Sequence, residues 1–376
     1  MAVWNSSAST ADALLAGPRG RRMLLAFVEE AERAVQQNYD QSSFHSAVFY
    51  AAHALDPNPG VLFGPGADEP LPDIPPEEVA RRLATVPLPE VTAAALRSAL
   101  GMAVDMARYW QEPDGEDVLA ATIPMRRELR RIADHIARSP HVDWWSTEVA
   151  RGDQWSVGWA DGAETTPQEP REQTRLTERL AKWRDRVVEQ EIKAERDRPR
   201  DPKANYSGEW WSFPWEARCS ARSLDDGLPA GVLFVEDSMG WKRAFARRLP
   251  VPVGIDVFEI DGADAWADLC RRYPLEVTAQ KRHDWYRTTG RDGRWVMPDW
   301  SRVADAYAGV HLTVRGYLAA AGTAIDVDDD AASVIAGWAP DETHWLTDAV
   351  RPDGDVVEWM LDGNRENWLR KIAPTS

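Results

Sequence analysis

The chain has 376 residues, enough for two domains with a sizeable core, and its 44% hydrophobic and 28% charged residues are those of an ordinary globular protein. Its 61 acidic and 44 basic residues give a formal net charge of -17, which repels nucleic acid and anionic membranes and disfavours both as partners. Because it has no run of about 18 apolar residues and no apolar signal-peptide stretch, we expect a cytoplasmic protein without a membrane span.

The 19 tryptophans are the most unusual feature of the composition, and all but two of them follow residue 140. Indole rings fill cores and stack on planar ligands, so the later half is expected to be densely packed and suited to a flat ring. The two cysteines, Cys219 and Cys270, form no C-x-x-C pair, and the seven histidines lack the spacing of metal ligands. No metal site is therefore predicted.

Residues 11–140 carry apolar side chains at helical spacing. Met23, Phe27 and Ala31 recur every four residues, and a Pro-rich loop over 57–76 ends in a Pro-Pro-Glu-Glu sequence that is typical of a helix start. Further apolar stripes lie at 44–55, 89–111 and 125–138. These segments predict a compact bundle of four or five helices.

Residues 141–170 combine four tryptophans with Gly and Asp, and we interpret them as a covering segment. A long amphipathic helix is predicted over 172–196, and the charged stretch that follows, 196–205, contains two prolines and marks a domain boundary. The sequence thus predicts an α+β protein with a helical, bundle-like domain over 1–200. A C-terminal α+β domain with a mixed sheet is predicted over 206–376.

The later half alternates strand-like runs with short helices. Two of these helices begin matching apolar stripes at Trp266 and Trp300, 34 residues apart, and both stripes are interpreted as core. A final helix is predicted over 355–371, with Trp359 and Trp368 on its buried face. The strand-like runs are 232–237, 255–260, 294–297, 310–314 and 333–338.

The segment 282–287 has the richest set of polar and aromatic groups. It reads Arg-His-Asp-Trp-Tyr-Arg, an inventory that suits a ligand with a flat ring and phosphates. Arg282, Tyr286 and Arg287 are the cofactor-binding candidates, and His283 is a catalytic candidate. The alternative is a surface strand with charge pairs across the sheet, because alternate side chains of a strand face opposite ways.

A second candidate segment, 337–346, places two acids between two indoles. Asp341 and Glu342 lie between Trp338 and Trp345, and a carboxyl group close to apolar rings has a perturbed pKa or stabilises a developing cation. The alternative is a Pro-Asp turn between two strands, with both indoles packed in the core.

Residues 231–347 resemble bacterial ADP-ribosyltransferase-type domains. The matching motifs, in order, are V-F-E-I-D with A-W-A-D-L, then P-D-W-S-R-V-A-D-A-Y leading into G-V-H-L-T, then G-W-A-P-D-E-T-H-W-L. The resemblance implies cleavage of NAD⁺ at the nicotinamide bond through an oxocarbenium-like transition state. It implies Glu342 or Asp341 as the stabilising acid, Trp338 and Tyr286 as stacking rings, and Arg282 or His283 on the phosphates.

Three functions follow from these features. The first is a nucleotide-cofactor-dependent transferase, most concretely one that transfers ADP-ribose from NAD⁺. The second is a non-catalytic interaction protein that binds a protein partner through its helical domain. The third, RNA processing or modification, is disfavoured by the acidic balance.

Overall fold

The computed structural model describes residues 9–35, 42–62, 70–160, 174–363 and 367–371. Helices dominate the chain before residue 200, and the three sheets take all but one of their strands from the chain beyond it, which confirms the predicted α+β class. None of the helices in these ranges is both long enough and apolar enough to cross a bilayer.

In the described part of the chain, seven α-helices, rather than the four or five predicted, precede the first strand. The side chains of Ser9, Thr92 and Asp114 each cap one helix by accepting a hydrogen bond from the backbone N–H three residues later. Two of the seven helices have only seven residues, too few to show an apolar stripe. The helices are α1 (Thr10–Ala16), α2 (Pro18–Val35), α3 (Phe44–Leu55), α4 (Pro76–Thr85), α5 (Ala93–Asp105), α6 (Gly115–Ala121) and α7 (Ile123–Ile136).

The predicted covering segment begins with a 3-10 turn (Pro140–Ser146) and contains strand β1 (Trp155–Trp159), while its last part, 161–170, lies outside the described residues. The long helix predicted over 172–196 is confirmed as α8 (Leu176–Asp197), although 172–173 are not described.

The rest of the chain supplies eleven strands and five helices in the described ranges. The strands are β2 (Arg218–Ser220), β3 (Arg243–Arg248), β4 (Val257–Ile260), β5 (Pro274–Glu276), β6 (Arg294–Pro298), β7 (Gly309–Leu312), β8 (Ile325–Asp326), β9 (Ala331–Ser333), β10 (Thr343–Trp345), β11 (Asp353–Leu361) and β12 (Trp368–Arg370). The helices are α9 (Ala230–Leu233), α10 (Ala263–Arg272), α11 (Thr278–Thr289), α12 (Trp300–Val303) and α13 (Val314–Ala320).

Together with β1, these strands form three four-stranded sheets rather than the one mixed sheet predicted. The order β1-β3-β11-β12 is antiparallel throughout. The order β2-β10-β7-β4 contains the parallel pair β4 and β7, and the order β5-β6-β9-β8 contains the parallel pair β6 and β9. A bridge between Trp155 and Ala221 connects the first sheet to the second.

The alternative interpretation of 282–287 as a surface strand is wrong, because these residues belong to α11. An amphipathic pattern requires one solvated face, and α11 is enclosed instead: seven consecutive residues, 279–285, are buried. The Glu191 carboxylate of α8 caps its start by accepting hydrogen bonds from the N–H groups of Ala279 and Gln280. A helix buried on all sides shows no stripe in its sequence.

The predicted helix over 355–371 and the strand over 232–237 are also wrong. The C-terminal segment forms β11 and β12, where pairing of β11 with β3 buries Trp359. Trp359 and Trp368 are nine residues apart, which would place them on opposite faces of a helix at about 100° per residue, so this spacing argues against one helix with both indoles on its buried face. The apolar run at 232–237 forms the end of α9 and a turn, since four residues cannot establish a period.

One cluster of buried side chains extends from α1 to Leu346, directly after β10, and so includes both halves of the chain. Trp266 and Trp300 belong to it and are fully buried, with ring centroids 6.2 Å apart, which confirms that both matching stripes are core. Backbones also approach closely, since a Cβ at Gly17 would lie 2.6 Å from the Ala319 carbonyl oxygen. The division at residue 200 stays a prediction.

A buried histidine ties the second sheet together. His311 on β7 is fully buried, with Nδ1 beside Glu259 of β4 and Nε2 3.4 Å from Asp341. Asp341 in turn accepts hydrogen bonds from the backbone N–H and the guanidinium of Arg222. Burial lowers the pKa of His311, but the Asp341 and Glu259 carboxylates outweigh it and hold this pKa above the ordinary value.

We expect His311→Asn to lower the free energy of unfolding by about 3 kcal/mol, because it removes the cation beside Glu259 and leaves Asp341 with Arg222 alone. The raised pKa means that the stabilisation is complete below the ordinary histidine pKa and is lost as pH rises through the folded-state value. Urea titrations across pH should therefore show a decline for the wild type that the variant lacks. His141→Gln, at an exposed position, is the control; equal pH dependence in all three proteins would contradict the assignment.

Candidate functional site

The charged side chains of 282–287 bind protein groups. Arg282 pairs with Glu195 at 2.6 Å, and Asp284 accepts hydrogen bonds from Ser207 and from the Gly208 N–H. Arg287 donates to the carbonyls of Trp110 and Tyr206 and to Asp284. These contacts hold the chain around 195–210 against α11.

His283 and Tyr286, on the same helix, differ in burial. His283 is buried 5.3 Å from the Tyr206 ring, and burial and nearby guanidinium groups lower its pKa. Neither of its ring nitrogens has a hydrogen-bond partner among the described residues. Tyr286 is half-buried at the last turn of α11. Cofactor binding by Arg282, Tyr286 and Arg287 and catalysis by His283 stay predictions.

In the second segment, Trp338 and Asp341 have packing roles. Trp338 is fully buried, its Nε1 donates to the Glu342 carbonyl, and its ring meets His344 edge-on at 4.7 Å. Asp341 has φ of 60° and is occupied by Arg222 and His311. Stacking by Trp338 and catalysis by Asp341 remain untested predictions.

Glu342 is different because it faces a cavity of about 180 Å³. Alternation along β1 places Trp155, Val157 and Trp159 on one wall. The other walls of the cavity are formed by β2, by the turn after α9 and by the turn before β10. They include Cys219, Ser220, Ala221, Phe234, Glu236, Gly337, Ala339, Pro340 and Glu342, with Gly231 of α9.

Sheet register brings Cys219 and His344 next to Glu342. Cys219 on β2 lies directly opposite His344 on β10, so both side chains project from the same face of the sheet. His344 Nε2 is 3.3 Å from Glu342 Oε2, and the Ala339 N–H donates to the same carboxylate. Phe213 stacks on the other side of the imidazole, with centroids 5.3 Å apart.

These neighbours keep Glu342 ionised. Burial raises the pKa of the carboxyl, but the charge of His344, hydrogen bonding from His344 and Cys219, and the Ala339 N–H together hold the pKa below its ordinary value. Burial and the Glu342 charge raise the pKa of the Cys219 thiol well above its ordinary value. Cys219 is therefore a neutral donor beside the carboxylate and a poor nucleophile.

Glu236, the second acid of the cavity, has the opposite environment. Burial raises its pKa to about 8, although Tyr109, Tyr317 and Arg19 each oppose that rise. Its Oε1 accepts a hydrogen bond from the Tyr109 hydroxyl, while Oε2 is enclosed and has no partner in the described part of the chain. At neutral pH Glu236 is therefore a carboxylic acid.

Sequence reasoning found Glu342 but missed Glu236, Trp155 and Trp159. The signal for Glu236 was an acid directly after the apolar run 232–235, and the signal for the indoles was their alternation with Val157. No group of three or more His, Cys, Asp and Glu side chains in the described ranges is arranged to hold a metal ion.

Comparisons of the chain with protein-family models, with curated proteins and with solved structures found no match. The site is therefore interpreted from its own chemistry.

We expect Glu236→Gln to flatten the dependence of stability on pH. Because folding raises the carboxyl pKa from 4.5 to about 8, the wild type loses stability as pH rises through this interval, whereas the amide cannot ionise. Urea denaturation at several pH values measures the difference, with Glu189→Gln on an exposed part of α8 as the control. A variant that is less stable than the wild type at pH 9 would contradict the protonation assignment.

Proposed function

We propose that the chain is an enzyme that cleaves a bond at the anomeric carbon of a sugar, with Glu342 and Glu236 as the acid–base pair. The observation that carries the proposal is the meeting of two carboxyl groups with opposite pKa shifts in one aromatic-walled cavity. Two neighbouring carboxyl groups whose pKa values are shifted in opposite directions are typical of acid–base sites.

The two carboxyl groups divide the chemistry. Glycosidic cleavage passes through an oxocarbenium-like transition state. A nearby carboxylate stabilises its positive charge, and a proton given to the leaving group lowers the barrier to bond cleavage. Glu342 supplies the negative charge, and Glu236 supplies the proton. The indoles of Trp155 and Trp159 offer flat apolar surfaces for a sugar ring.

The reaction balances with water as the acceptor. The bond between the anomeric carbon and the leaving atom breaks, and the leaving atom takes the proton of Glu236. The oxygen of water joins the anomeric carbon while Glu342 accepts the proton that water releases. Transfer to the hydroxyl group of another acceptor follows the same sequence.

ADP-ribosyl transfer from NAD⁺ is the second candidate. Glu342, the acid that the sequence resemblance implies, lies in the cavity beside two indoles, and this observation favours the candidate. Nicotinamide leaves NAD⁺ as a neutral base without needing a proton. Under this candidate Glu236→Gln should retain NAD⁺ cleavage, while Glu342→Gln should abolish it. A protein partner for the helical half and a cytoplasmic location stay predictions.

We expect Glu342→Gln to lower kcat/KM by roughly 10²–10⁴-fold for all substrates, and Glu236→Gln to do so for substrates whose leaving group needs a proton, since this is the usual contribution of a general acid or base. The wild-type pH–rate profile should rise through the lowered pKa of Glu342 and fall near pH 8, and Glu236→Gln should lose the alkaline fall. The assay uses a panel of 4-nitrophenyl glycosides, nucleosides and labelled NAD⁺, with Glu189→Gln as the control. Full activity in both cavity variants, or no turnover of any compound, would refute the proposal.

A further inference from the structure

A second cavity of about 570 Å³ lies beside the first, where α5 and the 3-10 turn meet the segment 222–226. This volume falls within the range of roughly 300–1,000 Å³ that is usual for small-molecule sites, whereas the first cavity has room for only one small ring. The apolar part of the second cavity is built from buried side chains, Leu96, Leu100, Trp145 and Phe234.

The two cavities share a wall. Phe234 lines both of them, and Glu236 follows it by two residues. The chain at 219–221 lines the first cavity, and the same chain continues along the second at 222–226. A molecule that extends past the Phe234 side chain would place one part beside Glu342 and Glu236 in the smaller cavity and the other part in the larger one.

The lining of the second cavity suits a flat ring with both hydrogen-bond donors and acceptors. The Trp144 indole lines it, steadied by the Arg222 guanidinium 5.1 Å from the ring centroid. Around the rim, Arg97 pairs with Asp226, and Asp153 accepts hydrogen bonds from Ser223. Apolar walls with a few placed polar groups of both kinds match the faces and edges of a heteroaromatic base.

The charges of the two cavities disfavour phosphate groups. Among the described lining residues, negative charges outnumber positive ones. The carboxylates belong to Asp153, Asp225, Asp226 and Glu342, and the guanidinium groups to Arg97 and Arg222. Both guanidinium groups are already paired, Arg97 with Asp226 and Arg222 with Asp341. The net charge of -17 adds a repulsive field at longer range.

We infer that the second cavity binds a nucleobase, and that the substrate is an uncharged nucleoside whose ribose occupies the first cavity. The inference rests on the proposed function and names its substrate class. The bond that breaks is the one between the anomeric carbon and the base nitrogen. This nitrogen takes the Glu236 proton, and water adds to the ribose as Glu342 accepts its proton.

The test is calorimetric titration of the full chain with adenine, hypoxanthine and uracil, then with adenosine, inosine, uridine and NAD⁺. Ala94→Trp fills the second cavity from an exposed position on α5 and should weaken base binding by roughly tenfold or more. Met102→Trp, exposed on the same helix and outside the lining, is the matched control and should bind as the wild type does.

A second pair of variants separates the two cavities. Gly231→Leu fills the first and should weaken nucleoside binding while sparing the free bases. Gly231→Ala, whose Cβ would lie an ordinary 3.5 Å from Val157, is its control. At low ionic strength NAD⁺ should bind more weakly than adenosine, by roughly tenfold or more, because its phosphates meet the acidic lining.

The results distinguish this inference from the proposed function. If no base binds, or if Ala94→Trp binds bases as well as the wild type does, the nucleobase site is refuted. Loss of glycoside turnover in the two carboxyl variants would still support the acid–base pair in that case. If bases bind as expected but no glycosidic bond is cleaved, the nucleobase site stands and the proposed function fails.

Discussion

The burial of the Glu236 carboxyl is the constraint on which the site depends. Tyr109, from the loop after α5, donates to it, and Tyr317 of α13 and Arg19 of α2 lie close enough to oppose the rise of its pKa. Arg19 is itself buried and paired with Asp117. An isolated buried carboxylate is costly, and this acid avoids the cost by keeping its proton. The helices of the first half thus contribute directly to the chemistry of a cavity whose walls are β1 and segments of the later half.

The sequence could predict the elements that have one buried and one solvated face. The helices α7, α8 and α10 follow their apolar stripes, because such a stripe is the record of a single buried face. The helix α11 lacks this record, since it is enclosed by α8, by β6 and by the chain around 206–211. Tertiary packing decided its structure, and no local pattern reports such packing.

The candidate site was predictable to the same limited degree. Glu342 stands between two indoles in the sequence, so local context already marked it. Glu236 owes its protonation to side chains at positions 19, 109 and 317, and only the fold brings these together. For Arg282 and Arg287 the local sequence was misleading. Their charged and aromatic neighbours suggested a ligand site, whereas in the structure they bind Glu195 and backbone carbonyls.

The state of the two thiols has a practical consequence. Cys270 is buried with its pKa raised to about 12, and Cys219 is held as a neutral thiol beside a carboxylate. Alkylating reagents and mild oxidants react with the thiolate form, and the raised pKa values of both residues disfavour that form. A cysteine introduced on the surface would therefore react with a fluorophore or spin label ahead of the native pair. Distances between the helical half and the cavity can then be followed spectroscopically without first removing either natural cysteine.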